Sequence, residues 1–458
     1  MLPEIALQLC IVSVALLLLI DVRQTNRISV AIWLPIIWMM YCGSRPLTYW
    51  FDPESINNAS RDATEGSPID RLFVSILIGV GVVILCRRKI EWGKLVANNV
   101  WVVTLFAYMG LSVLWSDLPA VSFKRWIRTT GDLIMVLLVL TEINPVEAIK
   151  AMIRRSAYVL IPFSIVLIKY FRDIGVTYSE DGATTMWIGV TTHKNVLGYV
   201  ILVCAMYFVN NLLVTWKSKK GFIDFLFLVM MLWIMVGTSD SKGSSTSLSA
   251  LALGLIVLLA AHWGASNLMK LRKIILSIAL AICFLMAISQ VLGGSFLEVV
   301  TSSMGRDVTL TGRTEIWDVA LSVGPGNPVF GRGYGSFWIG ETANQVWNNL
   351  TYHTHFLQSH NGYIDIYLEL GALGLIFLAG LIRSAWQNTG ETLKTNIEYG
   401  MYRMAFLLAI LLHNLTESSY GRPNHLLWFM FLLSCVYVTA SFDRRGLMNK
   451  PKYYTAVR

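Results

Sequence analysis

The long connection before the last apolar runs carries two residues that suit displacement of a phosphate leaving group. Arg313 stands in the sequence Gly-Arg-Thr-Glu-Ile-Trp, and His360 begins the pair His-Asn at the mouth of an apolar run. An arginine guanidinium stays charged and binds phosphate through a planar fork. Histidine is a common general base near neutral pH, able to take the proton of an attacking hydroxyl. We therefore predict Arg313 and His360 as the catalytic residues.

Other polar residues lie in connections that we expect on the same side of a membrane. His193 and Lys194 precede one apolar run, and Lys242 lies in a hydroxyl-rich turn. Arg332 lies in a glycine-rich turn, and Glu417 lies in a short connection near the C-terminus. Cations neutralise phosphate, and a carboxylate orients a neighbouring histidine or arginine. We predict all of them as substrate-binding residues, with a solvated turn residue as the equal alternative for Lys242.

Structural alternatives stay open for the catalytic pair and for Arg332. The His360 side chain would equally cap its helix or bond a loop carbonyl. Arg313 would pair with Glu315 or Asp318 and only brace its connection. Arg332, inside a glycine-rich turn, would equally serve the turn itself.

The sequence predicts no metal ion and no cofactor. The outer connections hold no Asp-x-Asp and no clustered carboxylates, and the nearby pair His353 and His355 lacks a third ligand. The glycines Gly331, Gly333 and Gly335 follow no Rossmann strand, so they indicate tight turns and not a nucleotide site. The six cysteines lie in or beside apolar runs, without metal-ligand spacing and without a disulfide framework.

The elements that must position these residues are transmembrane helices. Of the 458 residues, 55% are hydrophobic and 14% charged, and the mean hydropathy is +0.58, so the charged surface of a soluble protein is missing. Apolar runs of about 17–22 residues match the helix length that crosses about 30 Å of hydrocarbon. We predict an all-α polytopic membrane protein with about 12–13 transmembrane helices. The predicted spans are 4–20, 28–44, 71–86, 99–115, 129–142, 156–169, 195–214, 221–237, 245–262, 273–293, 360–382, 401–413 and 424–441.

The distribution of charge predicts the orientation. Every second connection is rich in lysine and arginine, which the positive-inside rule assigns to the cytoplasm. The net charge of +9 therefore reflects topology, and no nucleic-acid partner is predicted. The motif-bearing connections face the periplasm of a bacterial inner membrane, and the first run is expected to be a retained span.

The chain divides into four predicted parts. Residues 1–293 form an N-terminal transmembrane bundle, 294–359 a large periplasmic loop, 360–441 the C-terminal helices, and 442–458 a cytoplasmic tail. The loop is too long for a simple connection and too aromatic for a disordered one, so we predict an ordered cap. Its aromatic residues are Trp317, Phe330, Tyr334, Phe337, Trp338, Trp347, Tyr352 and Phe356.

Three stretches in this order resemble the O-antigen ligase and polymerase superfamily. They are GRTEIW, NPVFGRGYGSF and His360-Asn361, nine residues, Gly371-x-x-Gly374, within a resemblance over roughly residues 95–440. The stretches THKNVLG and SDSKGSSTSL resemble, in particular, the exopolysaccharide polymerases of the ExoQ type. We expect Gly371 and Gly374 to form a small-residue strip for a neighbouring helix.

The resemblance implies a GT-C-like, metal-independent, inverting glycosyltransferase that acts at the periplasmic face. Its donor would be an undecaprenyl-diphosphate-linked oligosaccharide in the membrane lipid, supplied by a flippase, and a chain-length regulator is a possible partner. Arg313 and His360 match the loop arginine and the catalytic histidine of the family. Lys242 stands where the family has a second essential cation in a Ser-Arg context, which departs from the pattern.

Polymerisation of lipid-linked repeat units is the favoured reaction, with an O-antigen ligase that uses lipid A-core as the alternative. A polysaccharide or lipid transporter would need ionisable residues near the bilayer midplane, and the predicted spans are nearly free of charge. A structural scaffold would leave the aromatic, Arg- and His-bearing connection without a purpose.

Overall fold

Helices form almost all regular structure in the computed structural model. The structure describes residues 2–25, 28–52, 67–178, 184–216, 219–237, 241, 243–264, 270, 272–274, 313–351 and 355–438. In chain order the helices are α1 (Pro3–Gln24), α2 (Trp33–Cys42), α3 (Leu47–Phe51), α4 (Pro68–Arg87), α5 (Trp92–Asn98), α6 (Val100–Leu111), α7 (Pro119–Leu140), α8 (Pro145–Tyr170), α9 (Arg172–Gly175), α10 (Lys194–Thr215), α11 (Lys219–Val236), α12 (Ser245–Trp263), α13 (Arg313–Val323), α14 (Gly340–Asn349), α15 (Gly362–Thr395), α16 (Ile397–His413) and α17 (Leu426–Cys435).

The prediction of an all-α polytopic membrane protein is confirmed. In the described ranges, six helices are long and apolar enough to cross a membrane, or seven if the pair bent by 89° at residues 92–115 is one span. The six are α1, α4, α8, α10, α12 and α15. The predicted span 273–293 extends outside the described residues, and every other predicted span overlaps a helix. The predicted count of about 12–13 also includes the shorter apolar helices α2, α11 and α17 and the spans that overlap α6, α7 and α16.

Proline and asparagine mark several helix starts. Proline occupies the first turn of α1, α4, α7 and α8, where its missing N–H costs no helical hydrogen bond. Asn361 and Asn396 cap α15 and α16, since their side chains accept hydrogen bonds from the first-turn backbone N–H groups. The cap of α15 therefore lies one residue after His360, and the helix begins two residues after it.

A short hairpin was not predicted. Strands β1 (Val176–Tyr178) and β2 (Thr185–Trp187) pair antiparallel, with Val176 opposite Trp187. Three-residue strands carry too little alternation to be read from the sequence. The hairpin leads directly into the segment that carries His193.

The transmembrane helices pack so that several of their ends meet on one side. Helix α12 packs against α10 and α16, and α15 packs against α16. Asn195, at the start of α10, donates to Glu417, and Thr416 donates to Thr246 at the start of α12. The Gly362 N–H, at the start of α15, donates to the Glu417 carbonyl at 3.2 Å. Three helix starts therefore surround the connection between α16 and α17.

Helix α15 is interrupted at Gly371, where φ is 64° and ψ is −162°. Backbone groups at the break bond to the glycine-rich turn of the preceding connection. The Ala372 N–H donates to the Pro328 carbonyl, and the Gly333 N–H donates to the Glu369 carbonyl, both at 2.9 Å. The turn thus replaces hydrogen bonds that a continuous helix would make for itself.

This arrangement corrects the expected role of Gly371. We predicted a strip at Gly371 and Gly374 for a neighbouring helix, but the neighbour at Gly371 is the backbone of the turn. A Cβ atom on Gly371 would collide with the Val329 carbonyl and the Gly331 nitrogen. A Cβ on Gly374 would collide with Leu370 of its own helix. The prediction was wrong because apolar periodicity does not reveal a helix break that a distant turn fills.

The described part of the long connection packs on α15 through a second hydrophobic cluster. Helices α13 and α14 contact each other, and α13 also contacts α15. The cluster is separate from the main core of the bundle and consists of Ile316, Ala320, Phe337, Trp338, Val346, Leu350 and Leu368. The connection is therefore tied to α15 both by this cluster and by the glycine-rich turn.

The predicted spans and the residues at their ends contain more buried ionisable groups than we expected. Asp132 in α7 is fully buried and accepts a hydrogen bond from the Trp38 indole at 2.8 Å. In α8, Arg155 pairs with Asp21 at 2.7 Å, and in α16 Arg403 is buried. Such groups are tolerated because they face partners inside the bundle. Freedom from charge is therefore a weaker argument against transport than the sequence suggested.

Candidate functional site

The carboxylate of Glu417 is the centre of the candidate site. Its side chain is 7% exposed, and Arg313 Nη2 donates to Oε1 at 2.7 Å. His360 Nδ1 lies 3.1 Å from Oε2. Asn195 Nδ2 donates to Oε1 at 2.7 Å. Residues from three distant parts of the sequence thus meet on one buried carboxylate.

Arg313 is the first residue of α13, and its guanidinium reaches away from the helix to Glu417. The alternative pairing with Glu315 is not observed, because Glu315 accepts hydrogen bonds from the Thr351 N–H and hydroxyl. Nη2 carries the hydrogen bond to Glu417, and a guanidinium has further donors with which it can bind phosphate. Glu417 therefore anchors the Arg313 side chain, and the other N–H groups of the guanidinium can bind an anion.

His360 precedes the capping residue Asn361, so it is not the cap of α15. Its backbone has φ 56°, in the left-handed region that non-glycine residues rarely adopt. Because a carboxylate only accepts hydrogen bonds, the contact with Glu417 favours the proton on Nδ1. The Gln358 amide lies 3.2 Å from the same nitrogen and suits that tautomer when its oxygen faces the ring. Nε2 is then the unprotonated nitrogen.

The charges at the site set the protonation of Glu417. Burial raises the pKa of its carboxyl, but the hydrogen bond and charge of His360, with the charges of Arg313 and His413, outweigh burial and lower the pKa to about 2. Glu417 is therefore ionised at neutral pH. An ionised partner holds the imidazole in one tautomer and the guanidinium in one place.

The start of α10 adds further polar groups beside Glu417. His193 is exposed and caps α10 through a hydrogen bond from the Asn195 N–H to its Nδ1, at 3.2 Å. Although the residue is exposed, desolvation by neighbouring protein groups lowers the pKa of the His193 ring; Glu417 opposes this shift, and the charge of Lys194 adds to it. Lys194 lines a small crevice together with Trp187. Because Asn195 follows these two residues directly and donates to Glu417, the start of α10 lies beside the Glu417 cluster.

Of the two remaining predicted residues, one lies outside the described residues and the other lies away from this cluster. Lys242 lies outside the described residues, although Thr246 of the same stretch accepts a hydrogen bond from Thr416, next to Glu417. Arg332 donates to the carbonyls of Gly324 and Val323 at the opposite end of α13 from Arg313. Its contacts correspond to the structural alternative, and substrate binding by Arg332 stays a prediction.

Sequence reasoning missed two residues of the site. Asn195 lies inside the THKN stretch, so its position next to His193 and Lys194 was a usable signal. Asp365 is 4% exposed and accepts hydrogen bonds on both oxygens, from Trp338 and Arg422 among others. A single Asp in an apolar run gave no signal in the sequence that its carboxylate would bind several distant residues.

The arrangement can perform acid–base and anion chemistry together. A histidine with a fixed tautomer accepts a proton from a hydroxyl, while an adjacent guanidinium stabilises a departing phosphate. Among the described residues, no group of three or more His, Cys, Asp or Glu side chains is arranged to hold a metal ion. The His355 ring packs against Trp347 in a tilted arrangement, with ring centroids 4.4 Å apart, and His353 lies outside the described residues.

Comparison with known proteins gives two matches. Residues 213–379 match the O-antigen ligase family, a range that contains Arg313 and His360 but not Glu417. The chain is 24% identical over 305 residues to the exopolysaccharide production protein ExoQ of Rhizobium meliloti (strain 1021). That alignment covers 63% of this chain and 65% of ExoQ, less than two thirds of that relative's length. Together with the three motifs, the two matches show that parts of the chain are similar to the O-antigen ligase family and to an exopolysaccharide production protein.

Proposed function

We propose that the chain is a glycosyltransferase that moves glycan from undecaprenyl diphosphate to a sugar hydroxyl at the periplasmic face of the inner membrane. Its main activity would be polymerisation of lipid-linked repeat units for an exopolysaccharide. The observation that carries the proposal is the placement of Arg313 and His360 on the two oxygens of the Glu417 carboxylate, at 2.7 and 3.1 Å. A base and a phosphate-binding cation are thereby held side by side.

The proposed step is a single displacement at the anomeric carbon. Nε2 of His360 takes the proton of the acceptor hydroxyl, and the hydroxyl oxygen forms the new bond to the anomeric carbon. The bond from that carbon to the diphosphate oxygen breaks, and its electron pair leaves with the lipid diphosphate. Attack opposite the leaving group inverts the configuration of that carbon. Glu417 stabilises the imidazolium that forms on His360.

Fixed cations would take the place of a metal ion at the leaving group. Arg313 can bind the diphosphate through the guanidinium edge that does not face Glu417, and its charge does not depend on pH. His193 and Lys194 lie at the start of α10 beside it, where a helix N-terminus also favours an anion. Lys242 would contribute from the stretch that contains Thr246. The proposal therefore includes metal-independent catalysis.

The acceptor decides between polymerase and ligase. A polymerase uses a second lipid-linked unit, and a ligase uses lipid A-core. Similarity to ExoQ supports the polymerase, since that protein is described as acting in exopolysaccharide production. The family match, described as O-antigen ligase, supports the ligase as the second candidate. The likeness of THKNVLG and SDSKGSSTSL to ExoQ-type polymerases leads us to favour the polymerase. A flippase would deliver the donor, and a chain-length regulator would be a further partner.

The test uses the purified full chain in lipid nanodiscs with a short undecaprenyl-diphosphate oligosaccharide and EDTA. Gel electrophoresis and mass spectrometry would read the products of the wild type, His360→Ala and Arg313→Ala. We expect a ladder of longer lipid-linked glycans from the wild type and a loss of at least about 100-fold in both variants.

Each other outcome has a definite meaning. Transfer that occurs only after lipid A-core is added would identify a ligase. Loss of the ladder with EDTA and its return with Mg²⁺ would overturn metal independence. Movement of the donor across the bilayer without glycan transfer to either acceptor would show that the protein is a transporter and not a glycosyltransferase.

A further inference from the structure

The carboxylate of Asp365 is a second buried junction, one turn into α15. Its oxygen Oδ1 accepts hydrogen bonds from the Trp338 indole at 2.9 Å and the Ser359 N–H at 3.1 Å. Oδ2 accepts from the Ser418 hydroxyl and from Arg422 Nη2, the latter at 2.8 Å. A carboxylate offers about four lone-pair positions, so these donors use its capacity.

The donors come from segments that carry the proposed catalytic groups. Ser359 immediately precedes His360, and Ser418 immediately follows Glu417. The Asp365 carboxylate therefore holds the backbone N–H of the residue before His360. It also holds the hydroxyl of the residue after Glu417. Trp338 adds the long connection to the same junction, because its ring belongs to the second hydrophobic cluster.

The turn at His360 needs such a constraint. A non-glycine residue with φ 56° is strained and persists only where the surroundings fix it. Ser359 is held at both ends, since its N–H donates to Asp365 and its carbonyl accepts from the Trp317 indole at 2.8 Å. Without the Asp365 contact, rotation about the Ser359–His360 backbone would move the imidazole away from Glu417.

We propose that Asp365 is a positioning residue that holds His360 in its left-handed conformation against Glu417, and so couples the long connection to the catalytic turn. The kinetic part of this proposal rests on the proposed function. The structural part does not, because the position of His360 can be measured without turnover. A carboxylate that only stabilises the fold would leave the exposure of His360 unchanged.

Asp70 provides a matched control. It is 6% exposed, lies in the first turn of α4, and accepts hydrogen bonds from Tyr41, the Leu47 N–H and Thr48. Asp70 has no observed contact with the His360 turn. Asp70→Asn and Asp365→Asn therefore introduce the same chemical change into similarly buried, multiply bonded carboxylates.

The first measurement is chemical labelling of histidine in nanodiscs. Diethyl pyrocarbonate modifies accessible, unprotonated imidazoles, and peptide mass spectrometry gives the rate at each histidine, with the exposed His193 as internal reference. We expect Asp365→Asn to raise the labelling rate of His360 about 5-fold or more. Asp70→Asn should leave that rate within about 2-fold of the wild type.

The second measurement is steady-state kinetics with the lipid-linked donor. We expect Asp365→Asn to lower kcat about 100-fold while the donor KM changes less than about 3-fold, because misplacement of the base affects the transition state. Ser418→Ala removes one donor only and should lower kcat about 3- to 10-fold. It serves as the test variant if Asp365→Asn does not fold.

The outcomes separate the two proposals. Faster labelling of His360 in Asp365→Asn but not Asp70→Asn, with no transfer by the wild type, would support the positioning role and reject the proposed function. Equal labelling in both variants, or a wild-type kcat in Asp365→Asn, would overturn the positioning role. If only Ser418→Ala folds, wild-type labelling and kcat in that variant would overturn it.

Discussion

Replacement of Glu417 by glutamine should disable the site with a minimal change of shape. Glutamine keeps one acceptor oxygen but turns the other into an NH₂ group. That group must face either Arg313 and Asn195, or the Nδ1–H of His360, and each of these is a donor. One side of the junction therefore loses its hydrogen bond whichever way the amide turns.

The structure gives the size of the effect. A fall of the Glu417 pKa from 4.5 to about 2 corresponds to about 3 kcal/mol of stabilisation by its partners. Neutralising one member of a buried ion pair costs about 3–5 kcal/mol, so the two estimates agree. For catalysis, loss of the carboxylate that fixes the tautomer of a histidine base lowers kcat by about 10²- to 10⁴-fold.

The assay is glycan transfer in nanodiscs at saturating donor, with Glu315→Gln as the matched control. Glu315 is two residues from Arg313 and bonds to Thr351, so its replacement should change kcat less than about 2-fold. Thermal unfolding would be measured for both variants. If Glu417→Gln transfers glycan within about 3-fold of the wild type, Glu417 does not organise the catalytic pair, and the argument from the junction is wrong.

Other predictions follow from the same contacts. Arg313→Lys keeps the charge but loses the planar fork, so we expect kcat to fall about 10- to 100-fold in the transfer assay, and less than in Arg313→Ala; equal losses would contradict a charge contribution. Because the folded-state pKa of Glu417 is lowered, its stabilisation is present above pH 4.5 and lost as the pH falls towards 2. The difference in melting temperature between wild type and Glu417→Gln should therefore shrink as the pH falls below about 4.5; a difference that grows in that range would contradict the assignment. Gly371→Ala should destabilise the protein by about 3 kcal/mol or more, because alanine resists this backbone conformation and its Cβ would strike the glycine-rich turn. Gly79→Ala, where a Cβ meets nothing within 4 Å, is the control and should be neutral or slightly stabilising; similar melting temperatures for the two would refute the account of the break.

Local motifs drew attention to the proposed catalytic pair because each residue lies in a distinctive stretch. Arg313 and His360 were identified from residue type and motif position, and the structure places both on Glu417. The sequence suggested Glu417 as a partner of either residue, since a lone carboxylate in a short outer connection has few other roles. That it binds both at once depends on the packing of α13, α15 and α16, which no local pattern records.

Other features depend on contacts between distant segments. The break at Gly371 requires the turn that carries Gly331 and Gly333, and apolar periodicity alone continues through it. Asp365 gains its donors from four separate positions in the sequence, so its role emerges only after folding.

The most direct test of the central claim is a double-mutant cycle on single-turnover transfer. The wild type, His360→Ala, Arg313→Ala and the double variant would be mixed with excess lipid-linked donor and acceptor, and the rate of glycan transfer measured for each. If both residues act in one step, the double variant should be little slower than the slower single variant, because each loss already removes the shared step. Independent effects that multiply, or transfer by His360→Ala at the wild-type rate, would contradict the claim that Arg313 and His360 form one catalytic site.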